Sequence, residues 1–319
     1  MDNLLAALPE TYRDIPLPSG LISLERVEKG WSREYKFRLV MYGGVQLLLR
    51  IRDGAQEEKH HLEYDFVRSL SSRGLSVPRP HAFGPAGGGQ GSYMLLDWVT
   101  GADLIDALPG LPVGDQYRLG QSAGEMLRAI HQTPVPEGAL PVGSMKSKAL
   151  HKTKRFEDAG FFVRGGTRMT RYIKENIDKL DREAPVTQHG DFHPGNLVYT
   201  PEGRIAAIDF NRWGVGDPVE EFYKLQSFTI ENSIPFACGQ IDGYFPEGVP
   251  LSFWEGLAVH VAVSSLYSIL WAAPFGPDEV EDMVRRCERA FADYQGFDAL
   301  IPAWYMQFGG ESDARQAQG

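Results

Sequence analysis

The spacing of apolar and polar positions changes character about a third of the way along this chain. The first part predicts strands. Ile22 to Val27, Tyr35 to Val40 and Val45 to Ile51 are short runs rich in branched and aromatic side chains. Gly43-Gly44 separates the second run from the third. From Glu57 to Leu70 the period becomes helical, with Leu62, Phe66, Val67 and Leu70 on one stripe. Val77-Pro78-Arg79-Pro80 ends that helix, because a residue before proline is pushed out of the helical region. Gly87-Gly88-Gly89 reads as a loop and Tyr93 to Leu96 as a buried strand, closed by Thr100-Gly101.

Beyond that point helical periodicity dominates. Asp115 to His131 carries Leu119, Ala123, Leu127 and Ile130 on one face, and Met169, Tyr172, Ile173, Ile177 and Leu180 mark a second helix. Phe253–Trp271 and Asp278–Phe297 read as two long helices whose Trp254, Tyr267, Trp271 and Tyr294 are core residues rather than a cage for a cation. His131 reads as a helix-end or core histidine. Lys146 to Gly166 is basic and irregular, an inserted segment on the substrate side. Two apolar runs, Leu197–Tyr199 and Ile205–Ile208, flank Thr200-Pro201-Glu202-Gly203, which is a hairpin signal. Gly216-Asp217-Pro218-Val219-Glu220 reads as a helix start, with Asp217 as N-cap and Glu220 reaching back.

The hairpin is where the chemistry gathers. Bringing its outer ends together makes Asp191, Asn196 and Asp209 converge, and two carboxylates with one amide carbonyl are hard oxygen donors suited to Mg²⁺ and the phosphates it carries. A buried turn with aspartate caps explains one of these groups, not all three. Phe210-Asn211-Arg212 follows the second aspartate; Asn211 is the residue expected to take a left-handed backbone. Arg212 is either a phosphate contact or a surface residue.

His189-Gly190-Asp191-x-His193-x-Gly195-Asn196, with Ile208-Asp209-Phe210 and Gly216-Asp217-Pro218, resembles the aminoglycoside phosphotransferase family of protein-kinase-like small-molecule kinases. The likeness spans about Ile22 to Phe228. It implies an α/β (α+β) bilobal fold, with an antiparallel β-sheet N-lobe and a larger, mainly helical C-lobe. The expected bounds are 1–96 for the nucleotide-binding lobe, 97–101 for a hinge, and 102–319 for the catalytic and substrate-binding lobe. Asp191 would be the catalytic base, with His189 supporting its loop, while Asn196 and Asp209 would hold Mg²⁺. Ser32, in the loop after Gly30, would contact phosphate. The Asp97 carbonyl and the Val99 amide would bind adenine. Arg50 stands where kinases carry a lysine for the nucleotide phosphates, and Glu63 corresponds to its helical partner. Lys36 on the neighbouring strand is the second choice for that cation, and a solvated strand arginine is the alternative for Arg50.

Composition bounds the rest. A chain of 319 residues makes one large or two medium domains. Its net charge of -10 argues against a nucleic-acid partner and is compatible with a cationic substrate. Cys238 and Cys287 lack metal-ligand spacing and read as free thiols. No signal peptide is visible, and Leu257 to Ala273 is expected to fall short of a membrane span, so a cytoplasmic protein with no membrane partner is expected. The expected reaction moves the γ-phosphoryl of ATP or GTP to a hydroxyl of an aminoglycoside or similar antibiotic. Alternatives are a macrolide, choline, amino-acid (homoserine) or sugar kinase, or a non-catalytic nucleotide-binding module. Glu157, Asp158, Glu221, Glu231 and Asp242 are the acids available to line a cleft for a cationic acceptor. Oligomeric state has no signature in the sequence.

Overall fold

The structure is a computed structural model that describes residues 7–28, 34–54, 57–139, 141 and 143–316, with side chains as far as 309. Two compact units emerge. One comprises Met1–Ala102, Pro136–Ala139 and Val198–Trp213; the other comprises Asp103–Val135, Leu140–Leu197 and Gly214–Gly319.

The first unit is built on strands β1 (Leu21–Arg26), β2 (Tyr35–Met41) and β3 (Gln46–Asp53), helix α1 (Glu57–Ser72), and strands β4 (Pro80–Ala86) and β5 (Gly91–Asp97). The strands form one antiparallel sheet in the order β1-β2-β3-β5-β4. Strict alternation sorts its faces. Phe37, Leu39, Leu47, Leu49, Ile51 and Leu95 are buried in one cluster with Leu8, Tyr12 and Ile15. The intervening positions place Lys36, Arg50 and Arg52 on the other face. Strand β4 was not foreseen: Pro80, Gly84 and Pro85 remove any alternation, and such a strand survives because it lies at the sheet edge, where a missing N–H costs little.

The predicted hairpin is present in Leu197–Tyr199 and Ile205–Ala207. Its turn closes through Thr200 N donating to Arg204 O at 2.8 Å and Gly203 N donating to Thr200 O at 2.9 Å, with Gly203 at φ 74°. Ala207 N donates to Ser76 O at 2.9 Å and ties the hairpin to the segment before β4.

The second unit carries helices α2 (Val113–His131), α3 (Met145–Ala159), α4 (Gly166–Glu175), α5 (Ile234–Tyr244), α6 (Leu251–Ala272), α7 (Pro277–Asp293) and α8 (Ala303–Gln316). The stretch expected to be irregular is α3, capped by Ser144 Oγ on Ser147 N and ended by the left-handed Gly160. Its buried apolar positions, Met145, Ala149 and Phe156, are few among many lysines, so the period was submerged. The helix read through Leu180 stops at Glu175 and resumes as a single 3₁₀ turn, Ile177–Lys179. Helix α6 corrects the membrane expectation. Leu251–Phe275, 25 residues whose most apolar 18-residue window has a mean hydropathy of 1.5, is long and apolar enough to cross a bilayer by length and composition. Its most apolar window is 67 % buried and it packs on α3, α4 and α7, as a core helix does. Trp254 and Tyr294 are core, as expected, whereas Trp271 is 43 % exposed. Tyr267 differs as well: its ring faces Lys152 and Arg155, each 5.3 Å from the centroid.

Helices α2 and α5 touch backbone to backbone. A Cβ at Gly124 would lie 2.2 Å from Gln240 O, and one at Gly243 would lie 2.1 Å from Gln121 O. Nothing flexible can yield there, so Gly124→Ala is expected to lower unfolding free energy by about 3 kcal/mol, the upper end for an overpacked core. Gly110, whose Cβ would meet nothing, provides the control. Urea unfolding in which Gly124→Ala and Gly110→Ala behave alike would contradict this packing. The two helices end on His131 and Tyr244, and His131 in turn meets Glu221, which bonds the loop described next.

Candidate active site

The loop 189–196 belongs to the second unit. It is delivered by the strand Val186–Gln188, which pairs antiparallel with Gly214–Gly216. His189 is fully buried, and its Nδ1 accepts from Asp191 N at 3.2 Å, the backbone support expected of it. Gly190 adopts φ 80°, a conformation that favours glycine. The two amides this turn exposes are met by Glu221: Oε2 accepts from His189 N at 2.9 Å and Oε1 from Gly190 N at 2.7 Å. His131 Nε2 lies 3.1 Å from Oε2, and its Nδ1 lies 2.8 Å from the Tyr244 hydroxyl. Burial opposes ionisation of Glu221, yet its hydrogen bond and charge contact with His131 outweigh it and hold the carboxyl below its usual range. Glu221 therefore does not line a cleft; it clamps the loop backbone.

Asp191 is engaged by Lys224. The buried Nζ contacts Asp191 Oδ1 and donates to Gly190 O at 3.1 Å. Asn196 Nδ2 donates to Asp191 O at 2.8 Å, which fixes the amide and leaves its carbonyl oxygen as the donor for a cation. Neither Glu221 nor Lys224 was assigned to the loop from sequence. The only signal is their i, i+3 spacing after Asp217, and the expected regular helix is absent there. Glu220–Phe222 is a 3₁₀ turn and Leu225–Thr229 a π-turn, a geometry common at functional sites. Asp217 is therefore not a helix N-cap: its Oδ1 accepts from Val219 N at 2.9 Å in a local turn ahead of the 3₁₀ turn, while its Oδ2 lies 3.2 Å from His260 Nε2.

Asp209 belongs to the first unit. It adopts φ 62°, so the left-handed residue is Asp209 itself and not Asn211, which lies in the 3₁₀ turn Phe210–Arg212. A non-glycine residue in this region stores strain that its surroundings must hold. Phe210 supplies the anchor, its ring 6.0 Å from that of Phe66 on α1. Lys36 Nζ lies 3.1 Å from Asp209 Oδ2. Oδ1 is buried without a hydrogen bond among the described residues, and Arg50 Nη2 is 3.9 Å from it. A buried carboxylate oxygen left unsatisfied in this way fits a metal-borne site, and hard oxygen donors suit Mg²⁺.

Arg50 is 3 % exposed, which removes the solvated-strand alternative. It pairs with Glu63 as expected, Nη1 to Oε1 at 2.5 Å. It also grips Glu34, with Nε donating to Oε2 at 2.9 Å and Nη2 to Oε1 at 3.0 Å. Arg52 joins the same cluster, contacting Glu34 and reaching Glu63 Oε2 at 2.7 Å. Burial raises the Glu34 carboxyl, but the charges of Arg50 and Arg52 outweigh it and bring it to about 2. Beside them His60 is buried, its Nδ1 2.7 Å from Ser92 Oγ, and burial, then Arg52 and Arg50, push the imidazole down to about 3 from 6.5. A depressed histidine stabilises the fold fully above 6.5 and loses that contribution as pH falls toward 3. Unfolding free energy is therefore expected to fall by roughly 2 kcal/mol between pH 6.5 and 4.5, with His60→Gln flattening this slope. Identical pH profiles in urea unfolding would contradict it.

At the expected hinge, Asp97 pairs with Leu47 across β3 and β5, and Trp98 N donates to Gln46 O at 3.1 Å. The Trp98 ring stacks on Arg38, 5.3 Å away, and His81 Nε2 lies 2.5 Å from the Asp97 carboxylate. Val99 N–H makes no hydrogen bond among the described residues. A cleft of about 450 Å³ opens beside Asp97–Thr100, walled by Ser76–Pro78 and the hairpin turn. Ser32, with Gly30, lies outside the described residues. The remaining acids expected at a cationic-substrate cleft are already engaged: Glu157 with Lys174, Asp158 with Lys154, Glu231 with Arg286, and Asp242 with the hydroxyls of Tyr117 and Tyr305.

A model of the phosphotransferase enzyme family matches residues 23–254. No curated protein matches the chain. Among solved structures, the GDP complex of a variant of aminoglycoside 2'-phosphotransferase-IIIa is similar at TM-score 0.68 and 18 % identity, covering 88 % of this chain and 95 % of that one. The GDP and kanamycin complex of APH(2")-IIia matches at TM-score 0.66 and 18 % identity, over 91 % and 98 %. Amicoumacin kinase hAmiN, in complex with AMP-PNP, Ca²⁺ and Ami, matches at TM-score 0.62 and 17 % identity, over 87 % and 90 %. At these identities the likeness shows the fold: bilobal and protein-kinase-like.

Proposed function

Because the chain belongs to the phosphotransferase enzyme family, we propose that it moves the γ-phosphoryl of ATP or GTP to a hydroxyl of a small molecule. The observation that carries this reading is the loop 189–196, which presents Asp191 on a backbone clamped by Glu221 and ties Asn196 to it. Asp191 orients the acceptor hydroxyl and takes its proton, and Lys224 holds the carboxylate in place. Asn196 and Asp209 hold Mg²⁺, which neutralises charge on the phosphates when bound. The hinge main chain at Asp97 and Val99 reads the purine, and Ser32 keeps its role as a phosphate contact. Arg50 and Glu63 brace β3 against α1. The chain works in the cytoplasm, where its two buried free cysteines stay thiols.

The neighbours' complexes with GDP, AMP-PNP and kanamycin support a purine nucleotide co-substrate and an antibiotic as acceptor. The engaged acids favour a second reading, an acceptor carrying few positive charges, such as a macrolide or a sugar. A panel of aminoglycosides, macrolides, amino alcohols and sugars, incubated with Mg·ATP or Mg·GTP, tests both. Acceptor-dependent release of ADP or GDP in one class is expected. Nucleotide binding with no release on any acceptor would favour a non-catalytic module.

A further inference from the structure

We infer that the cation contacting the nucleotide phosphates is Lys36 of β2, and that Arg50 on β3 has become a structural brace; this deepens the phosphotransferase reading and rests on it. The two residues are direct cross-strand partners, so their side chains leave the sheet on the same face. A cation could pass from one strand to the other without leaving the site.

Each guanidinium nitrogen of Arg50 is engaged: Nε and Nη2 on Glu34, Nη1 on Glu63. Arg52 contacts the same two carboxylates. Two arginines and two glutamates make a neutral, buried cluster. Withdrawing Arg50 to serve a phosphate would leave Glu34 and Glu63 short of a partner in a site where unpaired charge is costly. Lys36 is placed differently. Its ammonium lies 3.1 Å from Asp209 Oδ2, on the carboxylate proposed for the metal, whereas Arg50 Nη2 stays 3.9 Å from Oδ1, and the Lys36 side chain is 13 % exposed.

An ammonium is a compact charge with three rotatable donors, so Lys36 can keep Asp209 and donate to a phosphate oxygen as well. Asp209 Oδ1, buried and without a hydrogen bond among the described residues, stays open to the cation that the phosphates bring. Asp209 would then serve both Lys36 and the metal. In sequence Lys36 also stands four positions after Ser32, the other expected phosphate contact.

Calorimetric titration with Mg·AMP-PNP and Mg·GMP-PNP, and separately with adenosine and guanosine, tests this without knowledge of the acceptor. Lys36→Met is expected to weaken binding of the triphosphate analogue about tenfold or more while leaving nucleoside affinity unchanged, since only a charge-assisted contact to phosphate is lost. Lys36→Arg should recover part of it. Arg50→Lys should lower the melting temperature and weaken triphosphate binding less than Lys36→Met does. The inference is overturned if Lys36→Met binds the triphosphate analogue as wild type does. It is equally overturned if Arg50→Lys, still melting cooperatively, loses more affinity than Lys36→Met. Wild type that binds neither analogue would overturn the phosphotransferase reading itself, and the Lys36 assignment with it.

Discussion

Asp191→Ala is expected to lower turnover by about two to four orders of magnitude, the range for removing a positioned general base. Nucleotide affinity should change little, because the role proposed for the loop 189–196 is to orient a hydroxyl, not to grip the purine. The loop itself should persist. Its amides are held by Glu221 and its Lys224 keeps a second acceptor in Gly190 O at 3.1 Å. Turnover measured on an acceptor found by the panel, with nucleotide affinity measured by calorimetry, separates the two effects. Turnover near that of wild type would remove Asp191 from the mechanism.

Asp209→Asn is expected to lower turnover roughly a hundredfold, as removal of a single charge-stabilising group does in other sites. The change replaces a charged hard ligand with a neutral one and takes away the partner of Lys36. Both consequences weaken Mg²⁺-dependent nucleotide binding, so raising Mg²⁺ should recover part of the loss. Stability should suffer less than activity, since the carboxylate's Oδ1 makes no hydrogen bond among the described residues and φ 62° suits asparagine at least as well. Unchanged affinity for Mg·ATP and Mg·GTP at every Mg²⁺ concentration would contradict the role given to Asp209.

The elements legible in the sequence are those whose apolar period is dense. β2, β3, α1 and α2 are read within a few residues because Phe37, Leu39, Leu49, Ile51, Phe66 and Leu127 recur at strand or helix spacing. α3 and β4 were lost because lysines in one and prolines in the other mask the few apolar positions that pack. α5 joins α2 through glycines, and glycine carries no hydrophobic signal, so the closest helix contact of the second unit left no trace in the pattern.

The site divides along a similar line. Asp191, Asn196 and Asp209 are near one another in sequence and share a recognisable spacing. Glu221 and Lys224 act on the loop from some thirty positions away, through turns that are neither regular helix nor strand. Arg50 and Glu63 pair as their spacing implied, but the second carboxylate, Glu34, was invisible as a partner, and it is Glu34 that engages the guanidinium from its other side. The left-handed turn was expected on Asn211 from residue preference alone. The structure puts it on Asp209, where tertiary packing of Phe210 on Phe66 overrides that preference.

The central claim, phosphoryl transfer to a small-molecule hydroxyl, is tested most directly by phosphorus NMR of the full chain with Mg·ATP or Mg·GTP and one acceptor from the panel. The γ-phosphoryl signal should decay while a phosphate monoester of the acceptor grows in its place, at a rate set by acceptor concentration and lost in Asp191→Asn. A nucleotide signal that persists with every acceptor class, or that yields only inorganic phosphate at the same rate in wild type and Asp191→Asn, would contradict it.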